Sequence, residues 1–179
     1  MAERTQIKSP QPIVYISVFE TPLGFITVLA DKQALYLLEF TDCKGIENEI
    51  NRVCEKTSST MLTGTPAPIH SIQEEMSAYF KGTLKHFRTP LHFLGSTFQV
   101  SVWNELRQIP YGQTRSYANV AAFLGSPTAY RAVAQANSKN HLAIIVPCHR
   151  IINNNGALGG FGRGLDRKEW LINHERNFI

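Results

Sequence analysis

The sequence predicts an α+β fold, with an antiparallel sheet in its first half and mainly short helices in its second. Two observations lead there. Residues 13–19, 25–30 and 34–40 are rich in β-branched and aromatic side chains. The stretches between them, Thr21-Pro22-Leu23-Gly24 and Asp31-Lys32-Gln33, suit turns, so the three read as a meander. After Thr89-Pro90 the pattern changes to helical periods punctuated by Gly, Pro and Asn.

Each further element has its own signal. Residues 45–56 have helical character, and residues 58–69 read as a loop by composition. Residues 70–82 place Ile72, Met76, Tyr79 and Phe80 on one face of an amphipathic helix. A domain boundary is expected between residues 88 and 95, separating a structural domain over 1–90 from a second domain over 91–179. Residues 91–94 read as a short strand. Ser96 then N-caps a helix with Phe98, Val102, Trp103 and Leu106 on one side.

Ser116 caps a short helix over 117–124, and Ser126 caps a second over 128–137, with Pro127 at its first position. Two short helices around Gly125 make a helix-turn-helix candidate, and the same pattern fits a helical hairpin in a core. The second helix holds four alanines and a single arginine, Arg131. That is poor in base-edge donors for a major groove. Small side chains instead suit close approach to a minor groove. Leu142-Ala143-Ile144-Ile145 reads as a buried strand, and Asn153-Asn154-Asn155-Gly156 as a turn. The glycine-rich stretch 156–164 lacks the spacing of a dinucleotide or phosphate loop. Asp166 and Glu169 form a capping-box pattern for a last helix that carries Trp170, Leu171, His174 and Glu175.

Composition narrows the class. Hydrophobic residues make up 43% of 179, enough for a packed core. No apolar run approaches the roughly 18 residues of a membrane span, and the leader MAERTQIKSPQP is polar and expected to fray. A soluble chain is expected, cytoplasmic or, in a eukaryote, nuclear, with no membrane partner. The three cysteines, Cys43, Cys54 and Cys148, argue against a disulfide framework and fit no zinc spacing, so no metal is expected. Residues 91–179 hold nine Lys/Arg against four Asp/Glu, whereas residues 1–90 hold nine against ten. The basic half suits an anionic partner such as nucleic acid, or is a solvated surface.

The stretch Pro147-Cys148-His149-Arg150 carries the chemistry. A cysteine attacks as thiolate, and a neighbour must lower its pKa. A histidine serves as base only when a third group orients it, and Glu175 is the candidate. An inert buried thiol is the alternative for a lone cysteine beside an apolar run.

Four blocks occur in order: IPYGQTRSY, RAVAQANSKN, IIVPCHRII and GALGGFGRG. Together they resemble the O6-alkylguanine-DNA alkyltransferases, the methylated-DNA–protein-cysteine methyltransferase family. The resemblance covers about residues 90–177, and the first half fits more loosely through Thr21-Pro22-Leu23-Gly24 and its strands. It implies a ribonuclease H-like first domain and a winged-helix-like second one. It also implies irreversible transfer of an alkyl group from O6 of guanine in duplex DNA to Cys148, without a cofactor. His149 would act as base through a water, Glu175 would hold His149, and Asn140 would tie the active-site turn. Tyr117 would help rotate the nucleotide and protonate the leaving guanine. Arg131 would fill the gap left by the flipped base, with Ala129, Ala132 and Ser126 on the same minor-groove surface. Val146, Phe161, Gly162 and Arg163 would line the pocket, with Arg163 crowding bulky alkyl groups. Arg150 is expected to pair with backbone carbonyls or a carboxylate near the turn. A monomer is expected. Two other classes stay open: a DNA-binding module with a structural cysteine, and a Cys-His-Glu hydrolase.

Overall fold

The computed structural model describes residues 11–179; residues 1–10 of the polar leader lie outside the described residues. Strands β1 (Ile13–Thr21), β2 (Gly24–Ala30) and β3 (Leu35–Phe40) form the antiparallel meander. Helix α1 (Ile46–Thr57) leads to a fourth strand, β4 (Thr60–Thr63), which pairs in parallel with β1 to give the order β3-β2-β1-β4. The loop expected over 58–69 is thus corrected. All four β4 residues are exposed, so no apolar alternation announces an edge strand that pairing alone creates. Helix α2 (Ala67–Phe80) also begins inside that stretch, with Pro68 in its first turn, where a missing N–H costs nothing. Ile72, Met76 and Tyr79 are buried and Phe80 is half-buried, as the periodicity requires.

In the second half, α3 (Thr97–Leu106) and α4 (Tyr117–Phe123) each start at a capping box, Ser96 with Gln99 and Ser116 with Asn119. Val102, Trp103 and Leu106 turn inward, while Phe98 stays exposed. Gly125 makes the following turn at φ +70°, a conformation that favours glycine. Helix α5 (Tyr130–Ser138) starts later than expected, and Ser126 does not cap it. The Ser126 carbonyl accepts from the Ala129 N–H at 2.8 Å, closing a separate turn ahead of the helix. Helix α6 (Leu165–Asn177) starts after Gly164 with no side-chain cap. Asp166 already lies inside its first turn, where it complements the helix dipole rather than forming a box with Glu169. The short pair β5 (Arg115–Ser116) and β6 (Ile151–Ile152) is parallel.

Two expected strands are single bridges. Of residues 91–94 only Leu91 pairs, with Leu35. Leu142 pairs with Leu38, and the chain then turns. The Val146 N–H returns to the Leu142 carbonyl at 2.9 Å, and Ile144 sits at φ +68°. The apolar run is buried, as expected, but local turn bonds replace the ladder.

Those bridges cover the open edge of β3. The Leu35 N–H donates to Pro90 and the His92 N–H to Leu35; further along, the Leu38 N–H donates to His141 and the Ala143 N–H to Leu38. An edge that could recruit another chain is instead filled by the connector and by the segment that approaches Cys148. One apolar cluster runs from Ile26 and Phe40 of the sheet through Ile72 and Trp103 to Ile151 and Leu171. Among the described residues, no helix is long and apolar enough to cross a membrane.

A polar cluster flanks the same junction. Arg52 of α1 donates to Glu49 at 2.8 Å and to His141 Nε2 at 2.7 Å, and also to the Leu94 carbonyl. Burial pushes the His141 imidazole down to about 4, Arg52 adding to the shift against the pull of Glu49. Folding therefore favours neutral His141. Its contribution is full above the unfolded pKa of about 6.5 and fades as pH falls toward about 4. Thermal melts of wild type and His141→Asn should differ most near pH 7 and converge toward pH 4. A constant gap across that range would place His141 outside the titrating network.

Candidate active site

Asn140 closes the turn that leads to the cysteine. Its side-chain amide donates to the Val146 carbonyl at 2.9 Å, and its Oδ1 accepts from the Leu142 N–H at 2.9 Å. Pro147 then enters a single 3-10 turn, Cys148–Arg150, in which all three side chains are buried. The sequence thus brings Cys148, His149 and Arg150 to one point but aims them differently.

His149 Nε2 meets Glu175 Oε1 of α6 at 2.7 Å. A carboxylate only accepts, so Nε2 carries the proton and Nδ1 keeps its lone pair. Nδ1 is buried with no hydrogen-bond partner among the described residues. Burial lowers the His149 pKa, against the pull of Glu175, and the ring is held as a neutral base.

Glu175 accepts from four residues. Tyr79 OH donates to Oε1 at 2.8 Å, Arg150 to both oxygens at 3.0 and 2.8 Å, and the Gly112 N–H to Oε2 at 3.1 Å. Burial pushes this carboxyl up, but His149 and Arg150 outweigh it and hold it well below the usual range. Gly112 stands at φ +75°, with the Glu175 carbonyl 3.3 Å from where a Cβ would sit, so the position calls for glycine. Arg150 also donates to the Ile109 carbonyl at 2.6 Å. It pairs with both a carbonyl and a carboxylate, as expected of it.

The other side of Cys148 departs from expectation. Arg163 does not merely line a wall of the pocket; it is 8% exposed. Its Nε donates to Glu39 Oε1 at 2.7 Å, and its terminal nitrogens donate to Glu39 Oε2, to the Asn140 carbonyl and to Cys148 Sγ, the last at 3.2 Å. Its face lies 5.5 Å from the Phe161 ring centre. Burial works against its charge, but Cys148 and Glu39 outweigh it and keep the guanidinium cationic. Val146 is wholly buried beneath the turn. Gly162 and Arg163 border an open cleft with Glu39 and Cys43.

Tyr117 opens α4 and is half-buried. Burial, then the charge of Cys148, raises its phenol. It lines an open cleft of about 410 Å³ with Ala118, Pro127, Tyr130, Asn153 and Asn154. That volume lies in the range of about 300–1,000 Å³ typical of ligand sites. On α5, Val133 and Ala136 face the core, while Arg131 and Ala132 face outward beside exposed Ser126, and Ala129 is half-buried.

Residues 14–93 match the family model described as 6-O-methylguanine DNA methyltransferase, ribonuclease-like domain, and residues 97–177 match its DNA binding domain. A methylated-DNA–protein-cysteine methyltransferase of Methanosarcina acetivorans is 40% identical over 162 residues, 90% of this chain and 98% of that protein. The chain belongs to the methylated-DNA–protein-cysteine methyltransferase family. The constitutive family member of Bacillus subtilis is 39% identical over 163 residues, covering 90% of this chain and 95% of its own. Among solved family structures, Mycobacterium tuberculosis O6-methylguanine methyltransferase aligns with a TM-score of 0.78 at 36% identity, over 93% of this chain and 94% of that one. The M. tuberculosis OGT in complex with DNA aligns with a TM-score of 0.78 at 34% identity and the same coverage.

Three residues escaped the sequence reading. The periodicity places Tyr79 only on a core face, although a tyrosine wholly buried there needs a partner for its hydroxyl. Glu39 is a carboxylate inside the apolar run of β3, and such a charge demands a cation. Lys168 of α6, wholly buried, donates to the Leu158 carbonyl, and burial lowers its ammonium to about 8. Nothing in its sequence context marks it. Tyr79→Phe keeps the ring and removes one hydrogen bond to a buried carboxylate. It should cost about 1.5–3 kcal/mol in urea unfolding. An unchanged midpoint would place the hydroxyl off Glu175.

Proposed function

We propose that this chain repairs DNA by moving an alkyl group from O6 of guanine onto its own Cys148, once per molecule. The observation that carries the reading is the pairing at the turn: a buried cysteine followed by a histidine whose Nε2 is fixed on Glu175 while Nδ1 keeps a free lone pair. The names of the family's members supply the reaction class.

The residues have complementary tasks. The thiol proton passes through a water to His149 Nδ1, and Glu175 stabilises the imidazolium that forms. The Sγ–C bond forms as the C–O6 bond breaks, and the bonding pair leaves with the guanine. Tyr117, whose phenol holds its proton more tightly beside Cys148, delivers that proton to the leaving base. Carbon moves from oxygen to sulfur with nothing oxidised or reduced, so the step calls for no cofactor. The thioether has no route back to thiol.

DNA is the partner, and the minor groove is the surface it offers. The O6 carbon lies inside the base stack, so the nucleotide must be extruded at a cost of a few kcal/mol. The outward side of α5 presents Ala132 and Arg131, small enough for close approach and long enough to fill the vacated stack. The protein would act as a monomer, in the cytoplasm or, in a eukaryote, the nucleus.

Intact mass spectrometry after incubation with O6-methylguanine DNA should show a single methyl on the Cys148 peptide, and Cys148→Ala should take none while still binding DNA. Methyl on Cys43 or Cys54, repeated turnover, or an unchanged mass would sink the reading. Arg131→Ala should slow repair of duplex DNA by more than tenfold relative to the free base, because only the duplex demands extrusion. Equal slowing on both would remove Arg131 from the groove.

A further inference from the structure

We infer that Arg163 is a catalytic residue of this site: held by Glu39 of β3, its guanidinium donates directly to Cys148 Sγ and stabilises negative charge on the sulfur as it attacks. The inference deepens the alkyl-acceptor reading and rests on it. It assigns a cation in direct contact with the sulfur, whereas the His149–Glu175 pair takes up the thiol proton through a water.

The geometry leaves Arg163 one role at that atom. Glu39 takes the Nε edge and one terminal nitrogen, and the Asn140 carbonyl shares that nitrogen. The other terminal nitrogen is left for Sγ at 3.2 Å. The guanidinium carbon lies 5.5 Å from the Phe161 ring centre. A guanidinium bound on three sides has no freedom to swing into water, and its fork cannot be copied by an ammonium. No other side chain among the described residues hydrogen-bonds to Sγ.

Other ionisable groups surround the sulfur. Tyr117 approaches from α4 and Lys168 from α6; their shifts register the charge of Cys148. His149 is held on Glu175. Cys43 borders Glu39 at 3.5 Å. Lys168 spends a donor on the Leu158 carbonyl, and Tyr117 is neutral, so Arg163 is the cation in contact. Cys148 is almost wholly buried, where water cannot screen that contact.

The test is the pH dependence of iodoacetamide alkylation in the full chain without DNA, followed at the Cys148 peptide by mass spectrometry. Access to the buried thiol scales the whole curve; the midpoint reports ionisation. In Arg163→Gln the midpoint should rise by a unit or more, so that about tenfold less thiolate is present at neutral pH. Arg163→Lys should keep part of the wild-type position. Arg163→Gln leaves Glu39 buried without a partner and can fail to fold. The double variant Glu39→Gln/Arg163→Gln removes both charges together and should still show a rise, smaller than in the single variant because the opposing Glu39 charge is also gone. Midpoints that coincide with wild type, in the double variant or in the single one, would overturn the role of Arg163. Iodoacetamide needs no DNA, so failure of the alkyl-transfer reading would leave this measurement standing, and the reverse also holds.

Discussion

The carboxylate of Glu175 is the constraint on which the rest of the site depends. It receives hydrogen bonds from α2, from the 3-10 turn and from the loop before β5, while itself belonging to α6. A charge this deep is tolerated only when every acceptor position is filled, and losing one partner leaves a penalty of several kcal/mol. The four segments are therefore fixed relative to one another by a single functional group. Ile144 shows what that rigidity sustains. A β-branched residue in the left-handed region costs of order 1–3 kcal/mol, and such a residue persists only where its surroundings over-determine it.

Cys148 sits between two charge systems, each neutralised internally. On one side Glu175 is balanced by Arg150 and gathers His149; on the other Arg163 is balanced by Glu39. Neither system leaves a bare charge in the core. His149 keeps one unpartnered ring nitrogen, and Arg163 gives an N–H to the sulfur. The neutral pairings let both groups be buried without forfeiting reactivity.

Much of this is legible in the sequence, and the misses share a cause. The meander, the caps at Ser96 and Ser116, and the cysteine turn depend on neighbours in sequence, and sequence shows them. Ser126 looked like an N-cap because its chemistry suits one, but its carbonyl had already closed a turn. Residues 142–145 looked like a strand because an apolar run does not reveal its backbone. Strand β4 has no apolar face to announce it. Glu39 and Tyr79 are legible only as questions, a carboxylate and a phenol without a partner, and their answers lie 124 and 96 residues away. The family resemblance puts Arg163 in a pocket wall, and only the fold brings its side chain onto Glu39 of the sheet.

The covered edge of β3 has a consequence for how the molecule comes into being. Leu38 meets Leu142, and Glu39 meets Arg163, across most of the chain. Loop closure over such separations is slow compared with local helix and hairpin formation. During synthesis the meander can form while its edge still lies bare, and Cys148 emerges from the ribosome before Arg163 and Glu175 do. The surroundings of Cys148 are completed only as the far end of the chain docks, so a prematurely stopped product would carry the cysteine without the Glu39–Arg163 and His149–Glu175 pairs around it.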